Sequence, residues 1–543
     1  MIRFSKHLNS IEDLCHAVSI RSVCWTGFWL IFILCWFILP PPLSYSEVFQ
    51  YNPSSLPDPI SLDARRNTKK VESKIESPDE PLKLSIKNAI LMALQNNHTI
   101  MIEQLNPLIQ KTFEEQERSS FDPAISGEVS RSRERSQGDP NADSVTIINQ
   151  SNFSATISEF FPTGTRMDIG MNGSRTWSDL YGDQHSTRIG LTVTQALLKG
   201  GGLKVNLASL RQARFDTFSS HQEFRGFAEN LISQVEETYW EYALANQRIE
   251  IFRESLNLAE KQLKETEERI KIGVMPEIEL AAAQAEVALR KEDLINAKSN
   301  LAKVRLRLLR LINPAGPNIW GREIELLDQP VVPEIELDMV DAHVEVGLLM
   351  RSDLNQARFQ LQKGDMEIVK TKNGLLPKMD FFISLGKSGY SDSFGGSIED
   401  PDRKIYDIQA GIQLDFPLFN RNAKARHQRA LLSRAQADEA VNNLAQLVQL
   451  DIRSAYIEVE RTNEQVSATA ATRRLQEEKM RAEIEKFRVG KSTSLLVAQA
   501  QRDLLASRIS EIEAVVSYLN AMVELYRLEG ALLERRGIDI SEP

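Results

Sequence analysis

The sequence predicts a mostly α-helical fold with a β part, in which the order helix, strands, long helical hairpin occurs twice. Two long segments, at 203–271 and 420–488, are rich in Ala, Leu, Gln, Glu and Arg, which are strong helix formers. Two other regions, at 124–198 and 378–418, alternate apolar and polar side chains with a period of two, as half-buried strands do. A glycine-containing break and a second helical segment follow each long helix, so each pair is predicted to form a hairpin.

The two copies can be aligned directly, which supports a duplication. A shift of 217 residues places Gly273 on Gly490 and Arg310-Leu311 on Arg527-Leu528, whereas a shift of 254 places Pro123 on Pro377. The two shifts differ by 254 − 217 = 37 residues, so the first copy is longer by that amount between Pro123 and Gly273. We expect the strand region of the first copy to hold this surplus.

The alignment and the local composition also predict the boundaries along the chain. In the first repeat, the leading helix is predicted over 84–119, with a kink at Asn106-Pro107 because proline interrupts helical hydrogen bonding. The predicted parts are a signal peptide (1–46), a polar tether (47–81), a first repeat (82–313; strands 124–198, hairpin 203–312), a linker (314–337), a second repeat (338–530; strands 378–418, hairpin 420–528) and a tail (531–543).

The amino-terminal region predicts export. An apolar run at Phe28–Leu39 is followed by Pro40-Pro41-Pro42, and it is shorter than the roughly 20 residues that span a bilayer. A retained inner-membrane anchor is the alternative interpretation. No later stretch of 18 or more apolar residues occurs, so a membrane crossing would have to use strands that close a barrel.

Composition and motifs argue against several function classes. The net charge of −10 argues against a nucleic-acid partner, and no concentrated basic stripe offsets it. The three cysteines, Cys15, Cys24 and Cys35, all precede the predicted mature chain, and the histidines show no metal-ligand spacing. No nucleophile, P-loop or dinucleotide motif is present, so the sequence predicts neither an enzyme nor a cofactor. The glycine triplet Gly200-Gly201-Gly202 is interpreted as a joint between a strand and a helix.

The polar faces of the predicted strands carry Asp, Gln, Gly and Arg, as in a water-filled lumen. The first strand region is long enough for four strands, with Phe161–Thr165 as an inner turn. Two sets of two to four strands cannot close a useful barrel alone, so several copies of the chain would have to contribute. A soluble β-sandwich is the alternative for the strands, and a plain antiparallel coiled coil is the alternative for the hairpins.

Taken in order, these features resemble the TolC-like outer membrane efflux protein family, from about Leu82 to Gly530. The second repeat opens with Arg351-Ser352-Asp353-Leu354, which is similar to the family's Arg-Pro-Asp-Leu. Phe416-Pro417-Leu418-Phe419 looks like a strand-to-helix junction of the family, and Lys486-Phe487-Arg488-Val489-Gly490 looks like its helix-tip motif. Each motif is weak alone, and their order is specific.

The resemblance implies a homotrimer that forms a trimeric α-barrel plus a transmembrane β-barrel, set in outer-membrane lipid and extending into the periplasm. It implies two partners, a periplasmic adaptor (membrane fusion) protein and an inner-membrane transporter of the RND, ABC or MFS class. The implied function is the outer-membrane exit channel of a tripartite efflux or type I secretion system, with passive conduction. A non-conducting, envelope-spanning structural coiled-coil protein is the alternative.

The resemblance also implies site residues. It assigns adaptor docking to the two hairpin tips, formed by Ile272, Gly273 and Val274 and by Val489, Gly490, Lys491, Ser492 and Thr493. Well-known members carry pore-facing aspartates six and nine residues after the second tip glycine, but this chain has Leu496 and Gln499 there. The candidate periplasmic constriction is therefore formed by Glu277, Glu279, Leu496 and Gln499. Four strands per chain would give a trimer twelve strands and six would give it 18, and we expect the smaller number.

Overall fold

The structure is a computed structural model that describes residues 81–137, 145–178, 182–315, 319–333, 337–399 and 405–538. The predicted signal peptide lies outside the described residues, as do positions 47–80 of the predicted tether and 539–543 of the predicted tail. In the described part of the chain, none of the helices combines the length and the apolar character that a membrane crossing requires.

The leading helical region contains three helices, α1 (Ile86–Asn96), α2 (His98–Glu103) and α3 (Leu105–Arg118). The backbone breaks at Asn97, which is extended at φ −67° and ψ 122° and whose side chain accepts a hydrogen bond from Thr99 N–H at 2.8 Å. The predicted interruption at Asn106-Pro107 is present, because α2 ends at Glu103 and Pro107 lies in the first turn of α3, where a helix does not need its N–H group.

The two predicted hairpins are present. In the first, α4 (Leu203–Asn206) precedes α5 (Ala208–Lys271), and α6 (Ile278–Ile312) returns. The middle of the chain contains α7 (Val340–Met350), α8 (Ser352–Asn373) and the short α9 (Phe394–Glu399). In the second hairpin, α10 (Arg421–Arg488) pairs with α11 (Ser494–Leu528), and the short α12 (Leu532–Arg535) follows. The helix α5 has 64 residues and α10 has 68, while α6 and α11 have 35 each, as a duplication requires.

Two sheets accompany the helices. The strand β1 (Leu82–Leu84) pairs in parallel with β6 (Ile324–Leu326), so the predicted irregular linker contributes a strand. An antiparallel sheet has the order β2-β3-β4-β5-β7-β8, and the β5–β7 pairing joins the two repeats. Its strands are β2 (Ala124–Gln137), β3 (Val145–Phe160), β4 (Thr165–Ser178), β5 (Gln184–Ala196), β7 (Lys378–Ser391) and β8 (Tyr406–Asp415). We expected four strands per chain in the barrel, whereas this sheet has six.

The central core lies along the middle of α5. Its buried side chains include Leu231, Val235 and Tyr239, which belong to the same apolar cluster as Leu308 of α6 and Leu525 of α11. The predicted tail also contributes to this cluster, because Leu532 and Leu533 of α12 are buried in it. The described part of the tail is therefore packed against the helices.

Candidate functional site

The first hairpin tip joins α5 to α6 through a tightly defined turn. Gly273 has a left-handed backbone at φ +73°, and its N–H donates to the carbonyl of Ile270 at 2.9 Å. The N–H of Val274 donates to the carbonyl of Arg269 at 3.0 Å. These two bonds form a Schellman motif, in which the left-handed residue is usually glycine. The sequence therefore ends α5 here because Gly273 adopts this conformation without strain.

The second tip repeats the first in detail. Gly490 also has φ +73°, and its N–H donates to the carbonyl of Phe487 at 3.1 Å. The N–H of Lys491 donates to the carbonyl of Lys486 at 2.7 Å. Every residue of this motif lies 217 positions after its counterpart in the first tip, which is the shift found in the sequence. After the turn, Thr493 Oγ1 accepts from the N–H of Leu496 at 3.4 Å and caps α11.

Contacts between the hairpins bring the two tips together. Ser494 Oγ at the start of α11 donates to Glu279 Oε2 in the first turn of α6. The guanidinium of Arg269, at the end of α5, lies 5.0 Å from the ring centroid of Phe487, at the end of α10. These contacts join both tips into one unit. Sequence reasoning missed them because neither residue pair is near in the chain.

The outer surface of this unit exposes apolar side chains beside charged ones such as Glu277 and Lys491. Ile272, Val274 and Val489 have 73%, 69% and 67% of their surface exposed. Exposed apolar side chains that cluster in space mark a surface for another molecule, whereas isolated ones are ordinary. The clustering supports the expectation that the tips dock a partner.

The base of the second tip contains hydrogen bonds to Glu483 that the sequence analysis did not identify. Glu483 accepts from Ser492 Oγ at 2.9 Å and from Lys486 Nζ at 2.6 Å. The hydrogen bond from Lys486, and after it the one from Ser492, holds the pKa of the Glu483 carboxyl group below its usual range. The Glu483–Lys486 spacing of three residues on a helix was the available signal. The hydrogen bond to Glu483 places Ser492, a predicted docking residue, against α10.

The four candidate constriction residues are not assembled into one site within a single described chain. Glu279 contacts the second tip through Ser494, while Glu277, Leu496 and Gln499 are exposed. Among the described residues, no hydrogen bond or ion pair joins these four side chains to one another. Their role as a constriction stays a prediction, because a pore on a symmetry axis would need the other copies.

Far from the tips, the end of the chain is held by buried ion pairs. Arg536 donates from Nε and Nη2 to the two carboxylate oxygens of the fully buried Glu236, each at 2.6 Å. Glu529, also fully buried, contacts His343 Nδ1 and accepts from Arg535 Nη2 at 3.1 Å. Across the described ranges, no group of three His, Cys, Asp or Glu side chains is arranged to hold a metal ion.

Comparison with known proteins gives both relatives and similar structures. The chain is 25% identical over 297 residues to the alkaline protease secretion protein AprF of Pseudomonas aeruginosa, covering 47% of this chain and 53% of AprF. It is 24% identical over 311 residues to the pyoverdine export outer membrane protein OpmQ of Pseudomonas putida, covering 55% of this chain and 62% of OpmQ. In both cases the chain spans less than two thirds of the relative's length.

The fold is shared with solved outer membrane channels. The Campylobacter jejuni CmeC outer membrane channel superposes with a TM-score of 0.63 at 16% identity, covering 84% of this chain and 87% of CmeC. The open state of the Neisseria gonorrhoeae MtrE outer membrane channel gives 0.60 at 19% identity, covering 84% and 91%. These likenesses confirm the predicted fold class, a mostly helical chain with a β part.

The family model of the outer membrane efflux protein matches residues 90–314 and 346–531, and the two matched segments correspond to the two repeats. This match confirms the resemblance drawn from the sequence, and it gives the outer membrane as the location. The chain therefore belongs to the outer membrane efflux protein family.

Proposed function

We propose that this chain is the outer-membrane exit channel of a tripartite efflux or type I secretion system, through which substrates pass passively. One observation carries the proposal: a sheet with one apolar and one polar face lies at one end of two matching long hairpins, whose apolar tips lie at the other. At about 1.5 Å per residue, the 64 residues of α5 extend roughly 95 Å, the scale of a periplasmic crossing.

The active form in this proposal is a homotrimer in outer-membrane lipid. Support comes from an apolar stripe on α2 and α3 that the described chain leaves uncovered, formed by Ile102, Leu105, Ile109 and Phe113. Their spacing of three to four residues puts them on one helical face, as expected for a face that packs on another helix. The outer strands β2 and β8 each leave one edge of the sheet open to a neighbouring copy.

The partners in this proposal are a periplasmic adaptor at the tips and an inner-membrane transporter of the RND, ABC or MFS class, which supplies the energy. The exposed apolar surface of Ile272, Val274 and Val489 supports adaptor docking. The relatives named for protease secretion and pyoverdine export support an export role. The family is one of channels, so we propose no enzymatic activity and no cofactor.

Planar-bilayer recording of the purified protein tests conduction. We expect discrete, ohmic single-channel currents, which increase when the tip contact is loosened by Glu279→Ala and Phe487→Ala together. Absence of current in both the unchanged protein and this variant, with the protein inserted and trimeric, would refute the channel and favour the structural alternative.

Adaptor docking can be tested separately with a matched pair of substitutions. Val489→Asp places a charge in the tip surface, and Val331→Asp places one on an equally exposed valine, 68% against 67%, in the connection between the repeats. We expect Val489→Asp to reduce co-purification with the adaptor at least tenfold and Val331→Asp to leave it unchanged. Equal co-purification of both variants would show that the tip is not the docking surface.

A further inference from the structure

The first repeat contains one β-hairpin that the second repeat lacks. The strands β2 and β3 occupy residues 124–160, which is 37 residues, the same number by which the two sequence shifts differ. If this segment is removed, a single shift of 217 aligns Pro123 with Pro377 and also aligns the two tips. The remaining strands, β4 and β5, then correspond to β7 and β8. The surplus in the first repeat is therefore a complete structural unit, inserted between α3 and β4.

The inserted hairpin shares the two faces of the other four strands. One row of cross-strand partners is apolar in every strand and consists of Ile125, Ile157, Ile169, Leu191, Leu385 and Ile408. A neighbouring row on the opposite face consists of Ala124, Ser158, Asp168, Thr192, Ser384 and Gln409, and it is polar in every strand except β2. In the first row the apolar side chains continue across all six strands, as a lipid-facing surface requires, while the same face carries Arg131, Arg133 and Arg135 farther along β2 and Lys387 on β7.

The length of the strands agrees with this interpretation. The shortest strand of the sheet, β8, has 10 residues, and the inserted strands β2 and β3 have 14 and 16. A tilted transmembrane strand needs about 9–11 residues. The apolar side chains Ile125 and Val129 on β2 are 80% and 86% exposed, so nothing in the described chain covers them.

We propose that all six strands of each copy cross the outer membrane, so that three copies close a barrel of 18 strands with an unusually wide exit. This proposal rests on the channel function proposed above. With strands about 4.8 Å apart and tilted about 40°, an 18-stranded barrel has a backbone diameter of about 36 Å, against about 24 Å for twelve strands. With side chains lining the lumen, the larger barrel passes bulky substrates, up to a pair of packed helices of about 10–12 Å each.

Single cysteines test which residues face lipid. In a background with Cys15, Cys24 and Cys35 replaced by alanine, Ile157→Cys probes the inserted hairpin and Ile169→Cys probes β4. We expect both variants to resist a membrane-impermeant maleimide and to react with a lipid-soluble one. Reaction of Ile157→Cys alone with the impermeant reagent would place the inserted hairpin outside the bilayer and overturn the 18-stranded barrel. Reaction of both variants would instead contradict the proposed membrane channel itself.

Excision of residues 124–160 tests the width of the exit. The two ends that the excision leaves to be joined lie close together, because Ala124 and Ser158 are cross-strand partners. We expect a trimer whose barrel has twelve strands, with a roughly twofold smaller single-channel conductance and a smaller cut-off for neutral polymers, both measured in the tip-loosened background. An assembled trimer with unchanged conductance and polymer cut-off would overturn the proposal. If the excised chain does not assemble, the labelling of Ile157→Cys decides the question.

Discussion

The long helices α5 and α10 hold corresponding positions in the two repeats, yet they are buried differently. On their shared inner face, Val235 of α5 and Ile452 of α10 lie 217 residues apart, and both are completely buried. On the outer face, Trp240 is 8% exposed while its counterpart Ile457 is 64% exposed. The duplication has therefore kept one packed face in both helices and altered the other.

The difference arises from what covers the outer face of α5. The small sheet of β1 and β6 lies against the inner face, where Tyr239 and Tyr242, one and two turns after Val235, donate hydrogen bonds to the carbonyls of Leu84 and Ile324, each at 3.1 Å. The last described residues cover the outer face, through the pairing of Arg536 with Glu236, which lies one turn before Trp240. No equivalent segment covers α10 among the described residues. The first long helix thus lies in the core of the described chain, while the second leaves one face exposed.

The largest effect is expected from breaking the ion pair that covers α5. Burial raises the pKa of Glu236, and the hydrogen bonds and the charge of Arg536 oppose this shift. The substitution Arg536→Ala would leave this carboxylate buried without a partner, which costs about 3–5 kcal/mol in comparable cases. We expect this loss in the free energy of unfolding, measured by loss of helical circular dichroism in urea with the protein in detergent.

Two variants make this test specific. Glu236→Gln in the Arg536→Ala background removes the unpaired charge and should recover most of the lost stability. Arg453, the counterpart of Glu236 on α10, pairs with Asp341 at 2.8 Å on an exposed surface, so Arg453→Ala should cost under about 1 kcal/mol. Equal losses for Arg536→Ala and Arg453→Ala would refute the difference between the two helices.

The second largest effect concerns pH. Burial raises the pKa of Glu229 on α5 to about 7, and Arg225 at 3.5 Å opposes the shift only partly. The folded state holds this proton more tightly than the unfolded state, so the stabilisation is complete below about pH 4.5 and is lost as the pH rises through 7. Glu229→Gln should therefore stabilise the protein by about 3 kcal/mol at pH 8 and make no difference at pH 4.

The counterpart of Glu229 on α10 is Gln446, which has no titratable group, so this substitution makes the two helices alike at this position. Urea unfolding at pH 4, 6 and 8 measures the effect. A stability difference between the variant and the unchanged protein that does not vary with pH would contradict the assignment of this titration to Glu229.

The sequence predicted the elements that depend on local pattern. The two hairpins, their tips at Gly273 and Gly490, and the two strand regions follow from propensity, periodicity and the alignment of the repeats. The strand count was missed because the alternation in β2 stops early: Ile125 and Val129 are followed on the same face by Arg131, Arg133 and Arg135. A strand that is apolar over half its length gives a weak signal in a single sequence.

The long-range polar contacts of the fold and of the site could not be predicted, because they join residues far apart in the chain. Glu236 and Arg536 are 300 residues apart, and a glutamate on a helix is ordinarily a solvated residue. The contacts between Ser494 and Glu279 and between Arg269 and Phe487 likewise depend on how the hairpins pack. The position of the candidate site was predictable from local turn chemistry, whereas its polar connections required the tertiary structure.

A smaller effect is expected at the tips, where the two repeats are alike. Gly273 and Gly490 both have φ +73°, and no atom lies within 4 Å of an added Cβ at either position. Alanine at each position should therefore lower local stability only through the strain of its left-handed backbone conformation, by about 1–2 kcal/mol. Hydrogen exchange at Val274 and Lys491, whose N–H groups close the two turns, should speed up about tenfold or more.

Gly395 supplies the control for the tips, because an added Cβ there also meets no atom within 4 Å and its φ is not positive. Gly395→Ala should leave the exchange of both tip amides unchanged. Clearly different effects of Gly273→Ala and Gly490→Ala would mean that the tips are not energetically equivalent, despite their matching hydrogen bonds.

The smallest effect compares two tyrosines at corresponding positions of the long helices. The hydroxyl of Tyr239 donates to the carbonyl of Leu84 at 3.1 Å and accepts from the N–H of Asp328 at 3.3 Å, whereas that of Tyr456 makes no hydrogen bond within the described residues. Tyr239→Phe should cost about 1 kcal/mol of unfolding free energy, since two backbone groups lose a partner, and Tyr456→Phe should stay within about 0.5 kcal/mol. Equal costs would show that the hydrogen bonds to β1 and Asp328 add no stability to α5, and would leave the Glu236–Arg536 pair as its principal polar attachment.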